Sequence, residues 1–165
     1  MSGRYYTATS NLVPYTSLST AAILAGSATS TAPFDIMAIR VGLHSGGTAP
    51  SYPSNASVLC QLARTTGAIS GGSSITARIA PHNTTDIASN AGYLYDASTG
   101  SISGLSQGVN LWESVLPFTA GQGVTEWVTP GAEWRISAST SFALFVTASV
   151  AGTSTDVTAE LVWVE

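Results

Sequence analysis

The chain has 165 residues but only five basic and nine acidic side chains, for a formal net charge of −4. All five basic residues are arginines scattered singly (Arg4, Arg40, Arg64, Arg78 and Arg135), so no basic stripe exists to neutralise nucleic-acid phosphates. A single cysteine cannot form an internal disulfide, and no apolar run approaches the roughly 18 residues of a transmembrane helix.

Strand signals dominate from the start. Segment 1–17 is polar with aromatic anchors, Tyr5, Tyr6 and Tyr15, beside Arg4, and residues 5–10 fit a strand. It is expected to be an N-terminal arm or first edge strand, able to add to a neighbour's sheet. Residues 18–165 then form one domain. A strand is expected over 18–25, and "FDIMAIRVGLHS" (34–45) puts Met37, Ile39, Val41 and Leu43 on one face. The loop "SGGTAPSYPSN" (45–55) follows, and the next strand, 57–65, sets Val58, Cys60 and Leu62 on one face with Arg64 at its end. Strands at 74–80, 91–96, 109–117 and 124–129 are separated by the Gly, Ser, Pro and Asn clusters at 66–74, 80–86 and 98–108.

The last two elements alternate cleanly. Residues 141–150 carry Phe142, Leu144, Val146 and Ala148 on one side, and 156–165 carry Val157, Ala159, Leu161 and Trp163. With Gly152 between them they are expected to be a C-terminal hairpin. Eight to ten short strands without crossover helices imply a single all-β antiparallel sandwich of jelly-roll type.

Chemistry-bearing motifs are weak. Cys60 sits where a small hydrophobe belongs, and neither His44 nor His82 is spaced to activate it, so it is expected to fill the core. "GLSQG" (104–108) matches the nucleophile elbow of α/β-hydrolases. That elbow needs a strand before the serine, a helix after it and a later histidine, whereas Ser106 lies in a Gly/Ser-rich stretch after both histidines. No H-x-x-H, C-x-x-C or EF-type loop offers a metal site, and no glycine loop precedes a helix to hold a phosphate cofactor. Catalytic, metal and cofactor residues are accordingly expected to be none. The aromatic residues remain. Trp163 alternates with core positions, while Trp112, Trp127 and Trp134 fall near turns or strand ends, where core or subunit contact is the default and a sugar-stacking platform the alternative.

The stretches "LARTTGAISGGSSITARIAPHNTT" (62–85), "WESVLPFTAGQGVTEW" (112–127) and "SFALFVTASVAGTSTDVTAELVWVE" (141–165) resemble a group of small virion accessory proteins of tailed bacteriophages. The matching pieces are Leu62–Thr66, Phe145–Ala148 and Val157–Glu165. The proline-rich segment usual in that group is only partly present, as "IAPHN". The resemblance implies a capsid decoration or cement protein, located on the virion surface and made in the host cytoplasm, in keeping with the absence of a signal-peptide pattern. The lack of lysine fits a surface designed to be covered. The expectation is therefore a non-enzymatic virion protein that forms trimers and binds the lattice of a major capsid protein, with no nucleic-acid or membrane partner. Its candidate interface is Arg4, Tyr5, Tyr6, Tyr15, Arg64, Trp112, Trp127 and Trp134. The alternative is a carbohydrate-binding sandwich, such as the head of a phage fibre, that takes a glycan.

Overall fold

The computed structural model describes residues 3–16, 18–44, 56–83, 89–117, 121–129, 131–150 and 154–165. In chain order its strands are Tyr5–Thr9 (β1), Val13–Tyr15 (β2), Ala21–Ala28 (β3), Phe34–His44 (β4), Ser57–Thr66 (β5), Ser70–Gly71 (β6), Ser73–Ser74 (β7) and Ala80–Pro81 (β8). They continue with Ala91–Asp96 (β9), Ile102–Ser103 (β10), Ser106–Pro117 (β11), Gly123–Trp127 (β12), Trp134–Ile136 (β13), Ser141–Ala148 (β14) and Thr155–Val164 (β15). Nine of these are five residues or longer, within the eight to ten expected, and the other six are pieces of two or three residues.

The strands form two antiparallel sheets packed face to face. One runs β12-β4-β15-β1-β8, and the other runs β11-β5-β14-β3-β10-β6 with β9 also on β3. Without the short pieces and β9, eight strands remain, and they pair from the outside inward. β1 pairs with β15, β3 with β14, β4 with β12, and β5 with β11. The contacts β15–β4 and β14–β5 then join these pairs within each sheet. A long hairpin rolled across two sheets in this way is a jelly roll.

The inner faces meet in one apolar cluster. At its centre Trp163, only 1% exposed, stacks on Tyr6 at 5.9 Å and leans on Phe34 at 5.8 Å, which meets Phe142 edge-on at 5.9 Å. Burying one such indole stabilises the fold by about 4–6 kcal/mol as an upper figure. β3 and β14 are buried on both faces, which explains why "AAILA" and "FALFV" are unbroken apolar runs. Their outer side belongs to a second cluster of Ala22, Ala25, Ala63, Ile102, Ala143 and Phe145, roofed by the insertion between β5 and β11. The outer face of the other sheet has no such roof among the described residues, and Thr9, Arg40, His44 and Trp127 are exposed there.

Three expectations need correction. The C-terminal hairpin does not form: β14 pairs with β3 and β5 in one sheet and β15 with β1, β2 and β4 in the other. The alternation reports burial, and both strands bury one face in the same core from opposite sides. Of the two forms expected for the N-terminal segment, arm or first edge strand, the described residues take the strand and not the arm. Over residues 3–16 it supplies β1, zipped to β15 from Tyr5↔Val164 to Thr9↔Glu160, and β2, paired with Thr155–Val157. Segment 74–80 is not one strand, since β7 ends at Ser74 and Thr76–Arg78 form a 3-10 turn before β8. The expected loop 45–55 and the turn at Gly152 lie outside the described residues.

Candidate functional site

The sequence-derived interface residues divide into three groups. Tyr6 and Tyr15 are core residues, 1% and 2% exposed, so neither can contact a partner. The Tyr15 hydroxyl accepts the Ala148 N–H at 2.8 Å and donates to the Ser19 carbonyl at 3.3 Å, and burial pushes its pKa upward. Arg4 exchanges two backbone hydrogen bonds with Glu165, and the half-exposed Tyr5 leans toward His82 with ring centroids 6.2 Å apart.

Arg64, Trp112 and Trp134 come together at one side of the sandwich, where they join the sheets. The Arg64 guanidinium donates from Nε and Nη2 to the Arg135 carbonyl at 3.1 and 2.8 Å, linking β5 to β13. Trp112 on β11 and Trp134 on β13 pack at 6.4 Å, and the Arg135–Asp35 ion pair at 3.4 Å holds β13 to β4. This is also the side on which β11 and β12 end their sheets. Among the described residues no strand pairs with the outer edge of β11, and Val109 (66% exposed) and Val115 (62%) stand out from it.

Trp127 behaves differently. It ends β12 on the unroofed face, 65% exposed, above the nearly buried Ala38 and Val162. A cleft of about 120 Å³ beside the indole is also lined by Arg40, Thr125 and Glu160. The same three residues line a groove of about 450 Å³ that continues along β4 to His44 and Gln122. Glycines open its floor. A Cβ on Gly42 would lie 2.9 Å from His44 Nε2, and one on Gly123 would lie 2.9 Å from the Val41 carbonyl oxygen. His44 Nε2 and Thr158 Oγ1 hydrogen-bond at 2.7 Å along one wall. Glu160 accepts from Thr7 Oγ1 at 3.4 Å, while Arg40, its register partner, is exposed and has no side-chain partner among the described residues.

The remaining motifs settle simply. Cys60 is fully buried, and burial pushes its thiol up to about 12, which keeps it protonated at neutral pH. Ser106 is the first residue of β11, paired with Thr66, rather than part of a loop, and the strand continues where an elbow would turn into a helix. Among the described residues no three His, Cys, Asp or Glu side chains gather as metal ligands. The sequence pointed to Trp127, but it missed Gly42, Gly123, Arg40, His44 and Glu160, because non-adjacent strands bring them together. No protein-family model, curated protein or solved structure matches the chain.

Proposed function

We propose that the chain is a non-enzymatic structural protein of a phage virion, a decoration protein that forms trimers and stabilises a capsid lattice. A fold hosts many functions, so the reading rests on surface chemistry, and β11 carries it. A free edge strand is a template for another chain, and soluble proteins normally blunt such edges with lysine or other charges. β11 runs for twelve residues with one charge, Glu113, and two exposed valines. Register shifts interrupt it between Gln107 and Trp112, so the regular stretch Trp112–Pro117 is where a neighbouring strand would add.

The composition supports the same reading. The chain lacks lysine and has a mean hydropathy of +0.27, a combination suited to a molecule that covers its surface on assembly. Three footprints on one trimer hold a lattice far more tightly than one, by effective concentration alone.

Light scattering on the purified chain tests this. The wild type should show three times the chain mass of 16.8 kDa, and Val115→Lys should return it to the monomer. A mass that Val115→Lys leaves unchanged would overturn the role given to β11.

A further inference from the structure

We propose that the outer face of β4, β12 and β15 is a binding groove for a neutral saccharide, with Trp127 as its stacking platform. The inference is independent of the assembly reading, because it uses a face of the sandwich and not the β11 edge.

Three observations carry it. The first is the indole. Trp127 is 65% exposed, and its indole shares the lining of an apolar-sided cleft with Ala38, Ile39 and Val162, so a ring-shaped ligand can reach its face. The negative π-face of an indole attracts the polarised C–H bonds on the apolar side of a pyranose ring.

The second is shape. The cleft at Trp127 and the larger groove share Arg40, Thr125 and Glu160, so they form one trough. From Ala38 to His44 along β4 it extends about 20 Å at the rise of a strand, the reach of a short oligosaccharide. Its floor exists because Gly42 and Gly123 lack side chains. The volume of the larger part falls within the range of small-molecule sites.

The third is polarity. Arg40 and Glu160 contribute one cation and one anion side by side, so the trough has no net charge to favour an ionic ligand. Around them Thr9, Thr125, Thr158 and Gln122 offer neutral donors and acceptors. A guanidinium donates a two-pronged fork and a carboxylate accepts one, and vicinal sugar hydroxyls can satisfy both because each hydroxyl donates and accepts. A peptide strand would instead seek the backbone groups of a sheet edge, which this face does not offer.

The test is a glycan array probed with the intact chain, followed by calorimetric titration with oligomers of glucose, galactose, mannose and N-acetylglucosamine. At least one glycan class should bind, and Trp127→Ala should weaken it about tenfold or more. Arg40→Gln should weaken the same glycan, Trp112→Ala should not, and far-UV circular dichroism should match wild type throughout. Binding that survives both Trp127→Ala and Arg40→Gln would overturn the assignment, as would an array and titrations without a single ligand. If Trp127→Ala unfolds, Arg40→Gln decides alone, since its side chain is exposed and supports no described contact.

Discussion

Removing the buried Asp96 carboxylate should destabilise the fold markedly. Asp96 ends β9 fully buried, and its side chain accepts four hydrogen bonds. Asn11 donates from its backbone N–H at 2.7 Å and from Nδ2 at 2.9 Å, and Ser98 donates from its N–H at 3.2 Å and from Oγ at 2.6 Å. The carboxylate therefore ties the corner between β1 and β2 to the insertion that roofs the opposite sheet. In Asp96→Ala the two side-chain donors can turn toward water, because Asn11 and Ser98 are half-buried. The two backbone donors cannot, and at about 1–3 kcal/mol for each stranded group they set the scale of the loss.

Relief of the carboxylate's own desolvation works against that loss, which leaves about 3 kcal/mol out of a total stability of roughly 5–15 kcal/mol. A chain of this length should then melt about 6–12 °C lower. Urea unfolding followed by tryptophan fluorescence should show a lower midpoint with an unchanged slope. Asp96→Asn keeps an acceptor but loses the charge, so it should fall between the two. A loss below about 1 kcal/mol for Asp96→Ala would refute the reasoning, since water would then be replacing the clamp without penalty.

Tyr15→Phe should destabilise by about 1–3 kcal/mol in the same urea assay, because the buried Ala148 N–H loses its acceptor while the ring packing is kept. Trp163→Ala should cost about 3–5 kcal/mol, or prevent folding, because Tyr6 and Phe34 lose the ring between them. A drop in near-UV circular dichroism larger than the far-UV change would report that loss of packing. Cys60 should resist thiol reagents at pH 8 until the protein is unfolded in urea. Its folded pKa lies above the ordinary value, so this contribution to stability is complete below about 9 and is lost as pH rises toward about 12. Rapid native labelling, or no alkaline loss relative to Cys60→Ala, would contradict that placement.

Much of the fold was legible because burial leaves a period in the sequence. The alternation in 34–45 and 156–165 marks strands, and both are strands, but in 34–45 a bulge at Met37 breaks the expected face: Phe34 and Ile36 join Ile39, Val41 and Leu43 in the core, and Met37 does not. The runs at Ala21–Ala25 and Phe142–Val146 carry the further information that both faces are covered. Periodicity does not encode partners, which is why β14 and β15 were expected to pair with each other. The N-terminal segment misled for a related reason. Its polar residues alternate with Tyr6, Ala8, Val13 and Tyr15, which face the core, but a strand of five residues and one of three give too few repeats to separate a packed edge from an arm. Trp127 could be singled out by type, yet its groove could not. The floor combines glycines from β4 and β12 and the walls add β15, segments far apart in the chain.

The nested pairing of strands has a consequence for the order of folding. β15, which follows the other described strands in chain order, lies between β4 and β1, and it holds β2 as well. Until it arrives, β1 has only the two-residue β8 beside it. The sheet that carries the groove therefore cannot close before β15 is available, and its loop closure spans the separation from β1 to β15. Refolding should fall toward the slow, millisecond-to-second end for a domain of this size, and removal of β15 should cost the whole sheet rather than one edge of it.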